Sequence, residues 1–405
     1  MQIALISTKI NPFGDAAHRD TICGPLANAL SSAGHSIKIV VPLPREMNPE
    51  AHSLARRLNP IEVNTDDGNH IFNRYDGNIM SGVDVYLLEV AETPAAATLD
   101  QAAVADLFCR AALACLDSQP EAPACCISFS DGMPLVSNLC RQRQTPNLLI
   151  LQSLGDDAEA LEKGLLEADR VVVLGSDPTQ TKEIPDLLVE MLQDGRAVSL
   201  PRPADAVKPL SAEEKASKKA AFQMQMSLPV RTDVPVVFFP NPLDSPFIEV
   251  LEQLLTRDVQ VLVATKNDRL VSLLERYPDR LAISTSDHSV KDHLAIADGC
   301  VVNGNPQMIS MALCCGTLPV TSVGAGSGLV DLEPNLQSGS GIVIPRLSED
   351  LLAEGLGRFA AAFSNPAYRA LSARLPAYTV TWNRMATYCL QLIEELNTDT
   401  SGQSS

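Results

Sequence analysis

Short runs of β-branched and aliphatic residues alternate with helical patterns from one end of the chain to the other. In the first half the runs are Ile3–Ser7, Ser36–Val41, Val83–Leu88, Cys125–Phe129, Leu148–Leu151 and Val171–Leu174. In the second half they are Val236–Phe239, Val259–Ala264, Leu281–Ser284, Cys300–Val302, Leu318–Ser322 and Gly341–Ile344. Many are continuously apolar, the pattern of strands buried on both faces of a parallel sheet. Between them, helical patterns cover Thr21–Ala33, Ala102–Leu116, Ala158–Ala168, Pro185–Asp194, Pro246–Arg257, Lys266–Tyr277, Asn305–Cys315 and Glu349–Ala361. Such alternation predicts a doubly wound α/β protein.

The pattern breaks once. Pro201-Arg202-Pro203 and Pro209 interrupt it, and Ser211-Ala-Glu-Glu214 then has capping-box spacing ahead of a Lys- and Ala-rich helix that runs to about Met226. The spacing predicts an N-terminal domain over 1–205 and a second over 206–375, followed by a closing helix over 376–396. The polar tail, 397–405, reads as disordered. Ligands of open parallel sheets sit beyond the carboxyl ends of the strands, so two such domains facing each other would enclose a cleft.

Charge narrows the classes. The 405 residues carry 49 acidic and 31 basic side chains, a net charge of −18. A surface that acidic repels phosphate backbones and anionic lipid heads, so neither nucleic acid nor a membrane surface is an expected partner. One tryptophan and 4% aromatic residues leave few rings for base stacking. No basic leader and no apolar run of ~18–20 residues is visible. The ten cysteines form no C-x-x-C pair, so no zinc ribbon, thioredoxin-type motif or other metal site is expected. Their apolar neighbours predict buried, reduced thiols and a cytoplasmic protein. The six histidines leave a gap from His70 to His288.

Four segments carry a family likeness. After the first strand comes Lys9-Ile-Asn-Pro-Phe-Gly14-Asp15, then Gly24-Pro-Leu-Ala-Asn-Ala-Leu30, Gly34-His35 and Val40-Val41-Pro42. The second is Lys215-Ala-Ser-Lys-Lys219-Ala-Ala-Phe-Gln223, ending in Ser227-Leu228-Pro229. The third is Met311-Ala-Leu-Cys-Cys-Gly316-Thr317-Leu318-Pro319-Val320, followed by a Gly-rich loop and Leu329. The fourth is Thr381-Trp382 with Ala386 and Tyr388. Weaker echoes occur at Arg110–Leu113, Ala168-Asp169, Glu183-Ile184 and Gly339–Gly341. In this order the segments resemble bacterial glycogen synthases and plant starch synthases, over nearly the whole chain. The resemblance implies the GT-B fold: two Rossmann-like domains across a cleft, with a C-terminal helix crossing back to the first. It also implies an ADP- or UDP-sugar ligand, a glucan acceptor, and no metal or other cofactor.

That family transfers glucose with retention and neutralises the departing diphosphate with a loop Lys and an Arg/Lys pair. Lys9, Gly14 and Asp15 match the loop, but Asn11-Pro12 replaces its paired glycines. Proline removes a donor and fixes φ, so a phosphate cradle there would be impaired. Lys9 then reads either as a phosphate ligand or as a solvated loop lysine, and Asp15 as a ligand-loop residue or a helix cap. The Arg/Lys pair is missing, because no Lys or Arg lies between Arg231 and Arg257. The family's His-Asn becomes Gln152-Ser153, its His-Asp-Trp becomes Ser130-Asp131-Gly132, and its donor-facing Glu falls in Val302-Asn-Gly-Asn-Pro-Gln307. Asp131 is the one catalytic candidate left, with a helix cap as its other reading. Gln152 and Asn303 are candidates for sugar hydroxyls, although Asn-Gly-Asn-Pro is also good turn and helix-start chemistry. Gly326, Ser327 and Gly328, within Gly324–Gly328, form a candidate anion nest. Trp382 reads as packing on the closing helix rather than as a sugar platform.

The losses fall at separate motif positions. They predict a catalytically impaired homologue that acts in binding, regulation or scaffolding. The alternative is an active retaining glycosyltransferase with a changed donor or acceptor. An epimerase on the same fold would need acid/base groups that the histidine gap does not supply.

Overall fold

The computed structural model describes residues 1–8, 10, 22–44, 47–65, 68–80, 82–91, 101–129, 134–151, 158–174, 186–204, 210–240, 245–264, 268–284, 289–303, 305–322 and 329–402. The chain divides into two compact units. Unit one comprises Met1–Leu174, Lys182–Ser199 and Trp382–Ser405; unit two comprises Gly175–Thr181 and Leu200–Thr381.

Unit one opens with β1 (Gln2–Ile6), α1 (Cys23–Ser32) and β2 (Ser36–Pro42). A 3-10 turn at Glu50–His52 leads to β3 (Ala55–Arg56), β4 (Ile61–Thr65), β5 (Gly68–Met80) and β6 (Val83–Val90). Then follow α2 (Gln101–Asp117), β7 (Cys125–Phe129), α3 (Pro134–Gln142), β8 (Asn147–Leu151), α4 (Ala158–Glu167), β9 (Arg170–Leu174), α5 (Asp186–Gln193) and β10 (Ala197–Leu200). Unit two begins with α6 (Ala212–Gln225), β11 (Val236–Phe239), α7 (Ser245–Leu255), β12 (Gln260–Val263) and α8 (Asp268–Arg276). It continues through β13 (Leu281–Ile283), α9 (Val290–Ile296), β14 (Gly299–Val301), α10 (Pro306–Cys314) and β15 (Leu318–Ser322). It ends with β16 (Ile342–Ile344), α11 (Glu349–Phe363) and α12 (Tyr368–Arg374). The last helix, α13 (Trp382–Gly402), belongs to unit one and packs on α1.

Both sheets are wound in the same way. In unit two the order is β13-β12-β11-β14-β15-β16, and every pairing is parallel. In unit one the order is β10-β9-β8-β7-β1-β2-β6-β5-β3, with β4 also on β5. Its strands from β9 to β6 pair parallel, while β3, β4 and β6 each pair antiparallel with β5. Counted along each chain segment, both parallel sheets follow the doubly wound order 3-2-1-4-5-6. The order therefore reverses between β1 and β7 in unit one, and between β11 and β14 in unit two.

The continuous apolar runs fill the middle of each sheet. Every residue of β1, β7, β8, β11 and β12 is buried. Phe238, Phe239 and Phe359 are among the largest fully buried side chains of unit two. Phe359 of α11 packs against the start of β14, where a Cβ on Gly299 would meet the ring at 2.6 Å. Only glycine leaves room for that ring.

Polar residues anchor the amino ends of the strands. In unit two, Lys219 of α6 is 4% exposed, and its Nζ donates to Asp298 Oδ2 at 2.7 Å and to Val234 O at 2.6 Å. The same Asp298 oxygen accepts the Val236 N–H at 2.9 Å, and Tyr368 donates its hydroxyl to Asp298 O at 2.5 Å. Gln223, one turn on, donates to Gln260 Oε1 at 2.6 Å. In unit one, Asp169 accepts the Asn147 N–H at 2.8 Å, and Asn147 donates its amide to Cys126 O and Ser128 Oγ. An acidic residue just before one strand thus holds the first residue of its neighbour in both sheets.

The structure departs from the sequence expectations in a few places. β3, β4 and β5 carry Asn, His, Arg and Asp at many positions, and this polar edge of the sheet lacks the apolar run of a central strand. Residues 200–204 belong to unit two rather than to a first domain ending at 205. Ala204 N donates to Val380 O and Ser310 Oγ to Arg202 O, which ties the Pro-rich stretch there. The closing helix starts at Trp382, after a 3-10 turn at Leu375–Tyr378. It runs to Gly402 and so includes most of the tail expected to be disordered. No Gly or Pro interrupts 397–401, and polar residues alone do not stop a helix. Among the described residues, no helix is long and apolar enough to cross a membrane.

Candidate functional site

Ligands of doubly wound sheets bind beyond the carboxyl ends of the strands, where the strand order reverses. The candidate residues can be placed in the chain against these points. Lys9, Gly14 and Asp15 lie in the connection from β1 to α1, and Asp131 in that from β7 to α3. Those two strands flank the switch point of unit one. Gln152 follows β8, and Gly326, Ser327 and Gly328 follow β15. All of these except Asn303 lie outside the described residues. Asn303 follows β14, at the switch point of unit two, and is exposed.

Its neighbour Asn305 has a local role. Asn305 is the N-cap of α10, and its Oδ1 accepts the Met308 N–H at 3.1 Å with Pro306 in the first turn. The turn-and-helix-start reading of Asn-Gly-Asn-Pro therefore holds for Asn305. Thr321, near the carboxyl end of β15, was not singled out by the sequence. Its Oγ1 is buried and has no hydrogen-bond partner among the described residues. Leaving a buried hydroxyl unpaired costs about 1–3 kcal/mol. The signal that could have found it is a threonine in an apolar strand just ahead of Gly324–Gly328.

The two switch points differ in their basic residues. In unit one, the β1–α1 connection contains Lys9, His18 and Arg19. In unit two, β11 is followed by Pro-Asn-Pro-Leu-Asp over 240–244, and β14 by Val-Asn-Gly-Asn over 302–305. Neither of these contains Lys, Arg or His. Among the described residues, no group of three or more His, Cys, Asp and Glu side chains comes together to hold a metal ion.

Two of the family-like segments lie elsewhere. The Lys215–Gln223 segment is α6, and its Lys219 and Gln223 are bound into the amino-end anchor of unit two. Ser211 and Glu214 form the expected reciprocal capping box. The Cys-Cys-Gly316-Thr317 segment closes α10. Gly316 has φ +68°, Gly316 N–H bonds to Leu313 O, and Thr317 N–H bonds to Ala312 O. This is a Schellman turn, with glycine in the left-handed position. Lys215 Nζ and Ser372 Oγ both donate to Gly316 O, at 3.2 and 2.5 Å, so the second and third segments meet there. Trp382 begins α13 and is half-buried.

No protein-family profile matches the chain, and no curated protein matches it in sequence. Solved structures do match. The catalytic domain of starch synthase IV from Arabidopsis thaliana, bound to ADP and acarbose, superposes with TM-score 0.70 at 14% identity, covering 98% of this chain and 99% of that one. The fold is that of the GT-B glycosyltransferases. Trehalose 6-phosphate synthase from Burkholderia multivorans matches over 100% of this chain and 98% of its own, with TM-score 0.59 and 10% identity. LpCGTa in complex with UDP matches over 98% and 99%, with TM-score 0.57 and 12% identity. At such identities the likeness establishes the GT-B fold and no particular reaction.

Proposed function

We propose that this chain is a GT-B protein of the glycogen and starch synthase line that binds a nucleotide sugar or a related ligand and does not transfer glucose. One observation carries the proposal: the connections after β11 and β14 hold no cation. Glucosyl transfer without a metal leaves negative charge on a departing diphosphate. A single preorganised group that stabilises such charge is worth ~3–4 kcal/mol, or ~10²–10³ in rate. A chain without the Arg/Lys pair forgoes that stabilisation at two positions.

A weak binding role remains for what is kept. Lys9 would offer one charge to a phosphate. The backbone of Gly326, Ser327 and Gly328, with the Thr321 hydroxyl, would supply neutral donors to an anion. Asp131, Gln152 and Asn303 would meet sugar hydroxyls. Unit one then corresponds to the acceptor-side domain of the family and unit two to the nucleotide-sugar side. All ten cysteines are buried and free, which suits a reducing cytoplasm. The output would be a ligand-dependent state read by another protein, as in a pseudoenzyme.

Calorimetric titration of the full chain with ADP, UDP and their glucose conjugates tests this. Saturable binding at millimolar affinity or better, with no turnover, supports it. A second reading, an active glycosyltransferase, draws on Lys9 and Asp131, which follow the two strands at the unit-one switch point. Transfer of labelled glucose that is abolished by Lys9→Ala would establish that reading instead.

A further inference from the structure

We propose that Asn303 is a self-modification site: its side-chain amide is lost to the backbone nitrogen of Gly304, which leaves a carboxylate at the switch point of unit two and lowers the affinity there for an anionic ligand. The modification needs only water. Its effect on a ligand rests on the nucleotide-binding reading above.

The residue pair decides where such chemistry starts. Cyclisation needs a backbone N–H on the next residue that can approach the asparagine Cγ. Of the asparagines in the chain, Asn303 alone precedes a glycine. Glycine has no Cβ to block the approach, and its backbone takes up conformations closed to other residues. Asn305, two positions on, precedes Pro306, which has no N–H to give.

The fold leaves the first amide available and occupies the second. Asn303 is exposed, outside helix and strand, and its side chain has no hydrogen-bond partner among the described residues. The chain is held on either side of it. Val302 N–H bonds to Val320 O at 3.0 Å, and Asn305 Oδ1 is engaged in capping α10. Asn147 shows the opposite case: it is 1% exposed, and its amide donates to Cys126 O and Ser128 Oγ.

The reaction balances without a redox partner. Gly304 N attacks Asn303 Cγ, so an N–Cγ bond forms and the Cγ–Nδ2 bond breaks. The Gly304 proton passes to the departing nitrogen, which leaves as ammonia, and a cyclic imide remains. Water then opens the ring. Attack at Cγ gives an aspartate at position 303, and attack at the backbone carbonyl gives isoaspartate, with an extra methylene in the main chain. Either product carries a negative charge.

The connections after β11 and β14 hold no cation to neutralise that charge. Position 303 lies two residues ahead of the N-cap of α10, where the helix dipole favours a carboxylate, so the fold tolerates the aspartate. A bound diphosphate, by contrast, meets a like charge where an amide stood. Affinity for a nucleotide therefore falls as the chain ages.

Peptide mapping by mass spectrometry of the full chain, sampled over days in neutral buffer at body temperature, tests the proposal. The expected result is an amide-to-acid mass gain at residue 303 that runs several-fold ahead of every other asparagine, with isoaspartate among the products. Gly304→Ala should slow it several-fold. The proposal is overturned if Gly304→Ala deamidates as fast as wild type. Should that variant fold poorly, a Val-Val-Asn-Gly-Asn-Pro peptide serves instead: a folded chain that keeps the Asn303 amide while the peptide loses its own also overturns the proposal. Calorimetric titration with ADP and UDP then compares fresh protein, aged protein and Asn303→Asp. Aged protein and the variant should bind about tenfold more weakly than fresh protein. Equal affinity in all three overturns the loss of binding. Failure of fresh protein to bind either nucleotide overturns the nucleotide reading, whereas the peptide mass decides the modification by itself.

Discussion

In unit two the amino ends and the carboxyl ends of the strands hold opposite kinds of polar residue. At the amino ends Lys219, Asp298, Gln223 and Gln260 are buried or nearly so, and each is matched to a partner. At the carboxyl ends of β11 and β14 the connections are Pro, Asn, Leu, Gly, Val and a single Asp, with no cation at all. The segments of unit two that carry the expected family likeness, Lys215–Gln223 and Met311–Val320, are those that build and close the fold. A sequence likeness can therefore report a shared framework while saying little about a shared reaction.

The largest effect should come from the amino-end anchor. Asp298→Ala leaves the Lys219 ammonium buried without its carboxylate and frees the Val236 N–H. Removing one partner of such a pair typically costs 3–5 kcal/mol, so urea unfolding followed in unit two should shift by about that much. Replacing both groups, as in Lys219→Met/Asp298→Leu, should recover much of the loss. If the single variant unfolds like wild type, the anchor is not what holds these strands.

Next comes the turn that closes α10. Gly316 has φ +68°, and a Cβ there would lie 2.8 Å from Ser372 O. The left-handed conformation alone costs a non-glycine residue about 1–2 kcal/mol. Gly316→Ala should therefore lower the unfolding free energy by that amount or more, and a thermal melt reads the change.

A pH series compares the buried interior with the exposed ends. Burial raises the thiols of Cys109 and Cys389 to about 12, and those of Cys115 and Cys315 to about 11, from an ordinary value of 9.0. The unfolded chain releases these protons first. Their contribution to stability is thus fully present below about pH 9 and is lost as pH rises toward 11–12. The urea midpoint should hold steady through neutral pH and fall above 9. Native protein should also resist alkylation at pH 8, whereas unfolded protein should expose all ten thiols. Rapid labelling of the native state would contradict the burial.

The smallest effect belongs to the carboxyl ends. Asn303→Ala, at an exposed position after β14, should change stability by no more than about 0.5 kcal/mol. A loss as large as that of Asp298→Ala would erase the contrast between the two ends.

The central strands were legible in the sequence because burial on both faces makes them continuously apolar. Cys125–Phe129, Val236–Phe239 and Leu318–Ser322 are observed with the expected boundaries. The capping box at Ser211 and the chain return to unit one at α13 were also legible, the first from local spacing and the second from the family likeness. β5 was not, because Asn69, His70, Asn73, Arg74 and Asp76 give no apolar run, and its stability comes from pairing with β6 and β4. The roles of Lys219 and Asp298 were hidden for a different reason. Their pairing spans 79 positions and depends on topology rather than spacing. Thr321 gives no sequence signal, because a threonine in a strand is ordinary until its hydroxyl is seen to have no partner among the described residues.

The most direct test of the account is incorporation of labelled glucose from ADP-glucose and UDP-glucose into glycogen by the full chain. The missing cations at the unit-two switch point predict no transfer above background, even where titration shows the nucleotide bound. Incorporation that rises with protein concentration and disappears in Lys9→Ala would contradict it.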